Sequence, residues 1–454
     1  MGNSLFIYLF RKWIGPVGLF VFSFFFLLLS LLLFLILYFN FITSSSSLFV
    51  DFGRLLYSYD FFELGVSFAA DHLSLITSIL VIMLTIFAQF FGIEYMGGEA
   101  FITRLLYLLL LFATSVIFLF FVHDFFLVLI VWELIGLFSL LLVNFYSVRI
   151  YTIKAAFKTY IFSRLSDFFI FIAFFFIIVV VGSTDLTNLF VNAPFLLFYN
   201  VYFFNSGFSL LNILSSSVVL AGAIKAAQFP FHVWLPDAME APTPASALIH
   251  SSTLVIMGIY LIIRLGLIFE LTYFANTLLL FFGGLTISVG AVSASFQNDI
   301  KKLVAYSTVS QMGYLFCGCG FLAYPEVIYY LAVHAMNKAF LFILVGYIVH
   351  FFNGNTDLRF MGGLAPLSPF IMFLVITISL NLSGLPLTSG FIAKEFLVFQ
   401  TLRGDYFSYI VRVLWFFSFF FTSFYMLFLN WFVFFKTKQN FIKLYTNSPP
   451  PPKF

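Results

Sequence analysis

Charged side chains are scarce in this sequence. Asp, Glu, Lys and Arg together make up 9% of its 454 residues, whereas a soluble domain carries about 25%. Hydrophobic residues make up 63%, and the mean hydropathy is +1.11. A net charge of +3 gives no basic patch of the kind that binds nucleic acid. The composition excludes an ordinary soluble domain and predicts a polytopic membrane protein whose main solvent is the bilayer.

Cysteine and the motifs of common cofactor chemistry are also scarce. Cys317 and Cys319 lie within one apolar segment and provide neither a disulfide framework nor a metal site. The sequence has no Gly-rich phosphate loop that opens a helix, no CxxC spacing for an iron–sulfur cluster and no nucleophile elbow. We therefore expect this chain to hold no metal, cofactor or redox centre.

Long apolar runs, by contrast, are abundant. A helix needs about 20 apolar residues to span a bilayer, and it satisfies its own backbone hydrogen bonds in lipid. The sequence therefore predicts an all-α membrane protein of about twelve transmembrane helices. The candidate spans are residues 13–41, 72–92, 104–122, 125–146, 154–181, 208–240, 246–265, 275–295, 302–322, 326–351, 366–392 and 408–435.

Four clusters of lysines and arginines lie in or beside the connections and at the chain ends. With twelve spans, all four clusters lie on one side of the membrane, and the positive-inside rule places both termini there. The clusters are Arg11 with Lys12, then Arg149 with Lys154 and Lys158, then Lys301 with Lys302, and last Lys436, Lys438, Lys443 and Lys453. The opposite connections carry Asp51, Asp60, Glu63, Asp185 and Glu326.

Two candidate spans are interrupted. Pro230 and Pro236 interrupt the sixth, and Pro386, between two glycines, interrupts the eleventh. Proline removes a helical donor and clashes with the preceding turn. Such breaks persist at membrane depth only where they line protein or water, and a matched pair of them is typical of inverted-repeat transporters.

The interrupted spans divide the chain into comparable sets. Each is the fourth of five spans, and since five is odd the second set is predicted to run inverted to the first. We therefore expect N-terminal helices over 1–103, a first five-helix repeat over 104–265, a second over 275–435 and a short Pro-rich tail over 436–454.

Six ionisable residues stand out against this apolar background. A charged group at the bilayer centre costs at least about 2.5–3.5 kcal/mol, so a chain that carries several is expected to use them. Acids, lysines and histidines in series are what a proton path requires. Five lie inside membrane-length segments and the sixth follows the second interruption; they are Glu133, Lys225, His250, His334, Lys338 and Lys394.

An acid and a lysine form the first candidate pair. Glu133 lies mid-span, and Lys225 ends the first half of an interrupted helix. Burial destabilises the charged form of each and an opposite charge restores it, so a pair that alternately forms and separates can pass protons. A static ion pair that fixes helix register is the alternative. Arg164 and Asp167, three residues apart on one face, either compete for the lysine's partner or form a local salt bridge.

Two histidines form the next candidates. His334 and Lys338 lie one helical turn apart on one face, and histidine titrates near neutral pH. The alternative for a lone buried histidine is a hydrogen-bonded core residue. Neighbouring polar side chains favour a hydrated path around His250 and His334; they are Ser246, Ser251, Ser252 and Asn337. Metal ligation is a poor alternative because no His, Cys and carboxylate set has suitable spacing.

Three lysines lie near candidate span ends. We interpret Lys302 as an anchor of its helix on the membrane side that carries the basic clusters. Lys301 together with Asp299 is a candidate proton entrance. Lys394 and Glu395 follow the second interruption, where an exposed surface pair is the alternative to a role in the path.

The chain resembles the antiporter-like chain 5 family of mitochondrial NADH:ubiquinone oxidoreductase, respiratory complex I, over about residues 60–435. The family fold has two inverted five-helix repeats, in agreement with the repeats predicted above. The segments that carry the resemblance are AADHLSL (69–75), VWELIGLFSLLLVNFY (131–146), FSRLSDF (162–168), KAAQFPFHVWLPDAMEAPTPASALIHSSTLVIMGIYLIIR (225–264), QNDIKKLVAYSTVSQMGY (297–314), HAMNKAFLF (334–342), DLRFMGGL (357–364) and GLPLTSGFIAKE (384–395).

The resemblance implies roles for the singled-out residues. Glu133 and Lys225 would form the acid–lysine pair of a first half-channel, with Arg164 and Asp167 nearby. A central hydrated axis and a second half-channel would follow, formed in order by His250, Lys301, His334, Lys338 and Lys394.

The resemblance also implies partners and a location. Electron transfer would occur in other subunits, which bind NADH, FMN, iron–sulfur clusters and ubiquinone. Membrane-arm subunits, above all a chain 4-like neighbour, and lipids would surround the chain in the mitochondrial inner membrane, with both termini on the matrix side. The sequence lacks the long lateral helix of family members, so we expect this helix either to be absent or to be supplied by a separate polypeptide. The alternatives are a multisubunit sodium–proton antiporter subunit, and a structural complex I subunit without pumping.

Overall fold

The computed structural model describes residues 2–44, 47–58, 62–99, 101–203, 206–251, 253–403 and 406–437. Side chains at 2–14, 54–62, 202–206 and 403–406 are outside the description. The predictions made for Asp60, Ser252 and the tail beyond residue 437 therefore lie outside the described residues, as do the side chains of Arg11 and Lys12.

The chain is mostly helical, as predicted. Among the described residues, nine helical segments are long and apolar enough to span a membrane, and three shorter apolar helices accompany them. The helices are α1 (Gly2–Ser44), α2 (His72–Tyr95), α3 (Ile102–Phe121), α4 (Phe125–Val143), α5 (Ile150–Val181), α6 (Leu186–Leu196), α7 (Leu210–Lys225), α8 (Trp234–Asp237), α9 (Thr243–Ser251), α10 (Leu254–Arg264), α11 (Gly266–Leu271), α12 (Tyr273–Ser295), α13 (Ile300–Gly320), α14 (Tyr324–Phe351), α15 (Pro369–Ser383), α16 (Ser389–Gln400) and α17 (Tyr406–Asn430). Each of the twelve candidate spans overlaps one or more of these helices, while the count of twelve spans stays a prediction.

Two antiparallel hairpins were not expected from the sequence. Strands β1 (Leu48–Ser58) and β2 (Phe62–Ala70) pair from Leu48 with Ala70 to Ser58 with Phe62. Strands β3 (Asn200–Phe203) and β4 (Ser206–Ser209) pair likewise. The first hairpin lies between candidate spans and the second reaches into the start of the sixth, where apolar content alone distinguishes a strand from a loop poorly.

Both predicted interruptions are present. Helix α7 ends at Lys225, and short turns fill the chain up to α9 at Thr243. Helix α15 ends at Ser383, where Gly384 takes the left-handed conformation (φ 79°) that glycine adopts without a Cβ clash. Helix α16 then begins with Thr388 as its N-cap, whose hydroxyl accepts from the Phe391 amide at 3.2 Å.

The span predicted over 246–265 corresponds to one membrane-length segment, Thr243–Arg264, which contains two helices. Helix α9, which carries His250 in its last turn, ends at Ser251, and α10 begins at Leu254. The Thr253 hydroxyl donates to the Leu248 carbonyl at 2.8 Å, and the Ser251 hydroxyl bonds to the Ala247 carbonyl. These hydroxyls offer the backbone an alternative to continuous helical bonding.

Glycines allow the helices that carry the candidate residues to pack closely. A Cβ on Gly258 of α10 would lie 2.5 Å from the Gly222 carbonyl oxygen of α7. Small residues permit such backbone contact between membrane helices. The contact fixes the last turn of α7, which ends in Lys225, against α10.

Candidate functional site

Lys225 belongs to a charged cluster formed by α4, α5 and α7. Its Nζ lies 3.9 Å from Asp167 Oδ1. Arg164 Nη1 lies 3.4 Å from Asp167 Oδ2 and 3.3 Å from Glu133 Oε2. In this arrangement Asp167 contacts the lysine, and Arg164 joins the two carboxylates. The acid–lysine pair of Glu133 with Lys225 that the resemblance implies stays a prediction. The local salt bridge between Arg164 and Asp167 forms, but as one part of this larger cluster.

Burial divides the cluster into an inner and an outer part. The side chains of Lys225 and Asp167 are 1% and 5% exposed, whereas those of Arg164 and Glu133 are 36% and 32% exposed on the protein surface. Asp167 follows Arg164 by three residues on α5, so that one helix presents a cation outward and an anion inward. The inner pair is shielded and the outer pair is accessible to whatever surrounds the subunit.

Several neighbours of Lys225 carried no signal in the sequence. The Trp132 ring lies 5.5 Å from Lys225 Nζ, in cation–π range. Trp132 Nε1 donates to Ser166 Oγ at 3.1 Å, and Ser166 donates to the Ala221 carbonyl at 2.9 Å. Gly136 is also close to the lysine, since a Cβ at this position would lie 3.3 Å from Lys225 Nζ. Only proximity in the fold identifies these residues, because each also fits an ordinary core position.

His250 is enclosed by apolar rings. It is fully buried, and its ring lies 6.4 Å from that of Trp234 and 6.2 Å from that of Phe342, between centroids. Neither ring nitrogen has a hydrogen-bond partner among the described residues. His250 is therefore not the satisfied core histidine of the alternative interpretation, at least within the described part of the chain.

His334 and Lys338 share one face of α14, as predicted. Lys338 Nζ donates to Ser307 Oγ of α13 at 2.5 Å. The His334 ring stacks on Tyr330, with centroids 6.4 Å apart, and the Tyr330 hydroxyl bonds to Gln311 Oε1. Neither His334 nor Lys338 has a carboxylate within ion-pair distance among the described residues. This part of the site consists of bases held among hydroxyl and amide groups.

Lys394 lies at the second interruption, where the helix break solvates it. Its Nζ donates to the Leu382 carbonyl, in the last turn of α15, at 2.6 Å. The rings of Tyr314 and Phe419 lie 5.9 and 5.3 Å from Nζ. Lys394 is 4% exposed, which rules out the exposed surface pair with Glu395.

Small cavities adjoin two of the lysines. One, of about 10 Å³, lies beside Lys225 and is lined by Ser139, Thr159 and Ser163 among others. A second of about 10 Å³ joins His334 to Lys394. Asn337 and Asn381 line the second cavity, and their side chains bond to each other at 2.9 Å. Each cavity has about the space that one water molecule needs, beside polar groups that could bind it.

Lys301 lies in a much larger polar cavity of about 390 Å³. Arg149, Glu240 and Lys302 also line it. Asp299 lines the same cavity as Lys301 and forms an ion pair with Lys302 at 3.6 Å. The proton entrance expected at Lys301 and Asp299 stays a prediction. Two of the predicted basic clusters thus meet at one cavity, as their common side of the membrane requires.

Together these residues form a row of protonatable groups between two broken helices. The cluster of Glu133, Asp167, Arg164 and Lys225 lies at one end. The histidines and lysines that follow have no carboxylate within ion-pair distance among the described residues. No group of three or more His, Cys, Asp or Glu side chains suited to a metal ion occurs within the described ranges. Such an arrangement can hold and release protons, and it defines a multi-pass membrane protein of the antiporter-like class.

Known proteins place the chain within that class. The sequence profile described as NADH:quinone oxidoreductase/Mrp antiporter, transmembrane, matches residues 122–425, which is more than half of the chain. The chain belongs to this family. It is 24% identical to a chain of the solved Mrp complex from Dietzia sp. DQ12-45-1b, with a TM-score of 0.81 over 95% of this chain and 46% of that one. That similarity shows a common fold.

Curated relatives carry the name NADH-ubiquinone oxidoreductase chain 5. Identity is 44% with that of Nyctotherus ovalis over 72% of this chain and 18% of the relative. Identity is 33% with the Dictyostelium discoideum protein, over 81% of this chain and 56% of the relative. It is 38% with the Paramecium tetraurelia protein, over 73% of this chain and 58% of the relative. The chain thus spans between about a fifth and somewhat over half of the length of these relatives.

Proposed function

We propose that this chain is a proton-translocating membrane-arm subunit of NADH:ubiquinone oxidoreductase, in the mitochondrial inner membrane. The row of buried lysines and histidines between two broken helices carries the proposal, and the chain 5 relatives supply the oxidoreductase context. NADH, FMN, iron–sulfur clusters and ubiquinone would bind to other subunits. The distribution of Lys and Arg supports termini on the matrix side.

In the first half-channel, Asp167 is the carboxylate that responds to Lys225. The two are 3.9 Å apart, close enough to attract strongly without a direct hydrogen bond. When Arg164 draws Asp167 away, Lys225 loses its counter-charge and releases its proton. When Arg164 turns to Glu133, Asp167 again stabilises a protonated Lys225. Glu133 thus acts on the lysine through Arg164.

The second half-channel works without an acid. Lys338 is held by the Ser307 hydroxyl and Lys394 by the Leu382 carbonyl, both neutral acceptors. A proton on one lysine disfavours a proton on the next, so transfer along the row alternates. His334 lies between these lysines, beside the cavity that it shares with Lys394.

Lys301 supports an entrance at the basic face. The 390 Å³ cavity that it lines has room for many water molecules. Glu240 stands at the start of the connection to α9, the helix that carries His250. Protons would enter here and reach the central histidine along α9.

A sodium–proton antiporter subunit is the second candidate, since the chain shares its fold with an Mrp complex chain. The deciding experiment isolates the chain with its companions from gently solubilised native membranes. We expect NADH–quinone reductase activity in the same fraction, proton uptake into proteoliposomes driven by NADH, and no change when choline replaces sodium. Antiporter-like partners without NADH oxidation would support the sodium–proton antiporter. An active complex whose proton yield per NADH is unchanged in Lys225→Gln and Lys394→Gln variants would support the structural role without pumping.

A further inference from the structure

A second group of charged residues lies beyond those already assigned to the proposed path, on the face opposite Lys301. Asp71 caps α2, His123 lies in the connection between α3 and α4, Asp185 caps α6, and Arg264 is the last residue of α10. Charged residues are ordinary at helix ends and in connections, and the sequence indicates only that Asp185 lies on this face.

Arg264 holds two of these elements to its own helix. Its Nη1 forms an ion pair with Asp71, and its Nη2 lies 2.9 Å from His123 Nδ1. The side chains of Arg264 and His123 are 9% and 8% exposed. On the other side of the ring, His123 Nε2 lies 4.0 Å from Asp185 Oδ1 and has no hydrogen bond within the described chain.

Around the ring, the other described neighbours are an aromatic side chain, a backbone carbonyl and the Asp124 carboxyl group. The Phe49 ring of β1 lies edge-on to the His123 ring, with 4.5 Å between the ring centroids. The backbone amide of His123 donates to the Ser67 carbonyl of β2. Asp124, the next residue, accepts from the Thr184 hydroxyl at 2.8 Å. Among the described side chains, the charges that act on His123 are those of Arg264, Asp185 and Asp71.

The contact with Arg264 requires a neutral histidine. A guanidinium only donates, so Nδ1 must accept, and the ring proton then lies on Nε2. A second proton would occupy Nδ1, abolish that bond and place an imidazolium beside Arg264. Burial and then Arg264 lower the pKa of His123 to about 4, against the opposing carboxylates.

The sign of the pH effect follows from that lowered pKa. The arrangement is fully favoured above about pH 6.5, the ordinary histidine value. As the pH falls from 6.5 toward 4, this closed arrangement becomes less stable relative to an open one in which Arg264 has left His123. The reason is that His123 binds a proton more tightly in the open arrangement.

This cluster sits at the end of the helix that leads from the central histidine. Helix α10 begins after the interruption beside His250 and ends at Arg264. The Tyr260 hydroxyl donates to the Phe120 carbonyl at 2.5 Å, which ties the same end of α10 to α3. An arginine that leaves this position frees α10 at the face where a proton would depart.

We infer that Asp71, Arg264, His123 and Asp185 form an outer gate for the proposed proton path. Arg264 keeps the gate closed while His123 accepts its hydrogen bond. A proton arriving from the outer compartment turns His123 toward Asp185 and releases Arg264. This inference rests on the proposed function for its transport role, whereas the pH-dependent opening can be measured without transport.

The opening is tested first with a buried cysteine in the assembled complex. Val122, beside His123, is 1% exposed, whereas Val191 on α6 is 71% exposed. We expect the alkylation rate of Val122→Cys, divided by that of Val191→Cys, to rise by up to about tenfold per pH unit below pH 6.5. Adding His123→Gln should remove the rise, because the amide oxygen still accepts from Arg264 but takes no proton. Leu186→Cys, also 1% exposed, replaces Val122→Cys if that variant does not assemble.

Transport is measured second, as proton pumping in proteoliposomes whose interior corresponds to the outer face. We expect pumping to depend on interior pH between 4 and 6.5 in the unmodified complex, and this dependence to be lost in His123→Gln. His72→Gln, an exposed histidine of the same face, is the matched control and should keep it. A flat alkylation ratio, or a rise that survives His123→Gln, overturns the gate. A rise without any pumping retains the gate and rejects the proposed function.

Discussion

At the scale of single residues, Asp167 and Glu133 differ more than the sequence suggests. Both are acids in apolar helices, yet Asp167 is nearly buried and faces Lys225, whereas Glu133 is a third exposed and faces Arg164. A partner removed from a buried ion pair leaves an uncompensated charge, which costs about 3–5 kcal/mol. The structure therefore ranks the two carboxylates, and that ranking can be measured.

We predict that Asp167→Asn impairs the complex more than Glu133→Gln. The first change leaves Lys225 without a carboxylate within ion-pair distance and should lower stability by up to about 3–5 kcal/mol. The second leaves Arg164 paired with Asp167 and should cost under about 1 kcal/mol. The measurements are the temperature at which the assembled complex dissociates and the number of protons pumped per NADH. Equal effects on both readouts would show that Asp167 has no privileged contact with Lys225.

The sequence identified which residues to examine but not how they pair. An ionisable side chain in an apolar run is conspicuous one residue at a time, so Lys225, Lys338 and Lys394 were all singled out. Partner choice depends on helix rotation and on which face meets which neighbour. Neither the Leu382 carbonyl as the acceptor for Lys394 nor Arg164 as the link to Glu133 follows from spacing along the chain.

At the scale of elements, the two interruptions place functional groups where continuous helices could not. The break after α15 exposes the carbonyl that binds Lys394, and Gly390 lets the two half-helices approach. A Cβ at Gly390 would lie 1.9 Å from the Asn381 carbonyl oxygen and 2.8 Å from Asn381 Oδ1. The glycine is required by this contact, since backbone cannot yield as a flexible side chain can.

Gly390→Ala should therefore separate α15 from α16. Overpacking of this kind costs about 1–3 kcal/mol, and the Lys394 contact with Leu382 should lengthen as the helices move apart. We expect a lower proton yield with electron transfer retained, measured together with thermal stability. Gly98→Ala is the control, because nothing lies within 4 Å of a Cβ there. If Gly390→Ala behaves like Gly98→Ala, the close approach is not needed for the second half-channel.

Element boundaries were partly predictable. Proline and glycine mark the breaks after α7 and α15 because they act on the backbone directly. The break between α9 and α10 depends instead on hydroxyls such as that of Thr253, and serine and threonine are equally common in unbroken membrane helices. The β1–β2 hairpin was missed because its apolar residues read as part of a connection.

At the scale of the whole molecule, charge asymmetry and helix order describe one arrangement. Arg149, Lys301 and Lys302 meet at a single polar cavity, although long stretches of chain separate the first from the others. Asp71, Asp185 and Arg264 gather at the other face: Asp71 begins α2, and Tyr95 at the far end of α2 lines the cavity. The proposed proton path would have a basic, water-accessible mouth at one face and a compact charged cluster at the other.

The orientation of that path in the membrane is open to a direct test. The positive-inside rule places the Arg149 face toward the matrix, so residues at the two faces should react with an impermeant thiol reagent from opposite sides. Val148 and Val191 are suitable positions, since they are 94% and 71% exposed on opposite faces, while both native cysteines are buried. In mitochondria with an opened outer membrane, Val191→Cys should be labelled at once and Val148→Cys only after the inner membrane is disrupted. The reverse order would invert the proposed direction of transport, because Lys301 would then face the compartment into which protons are released.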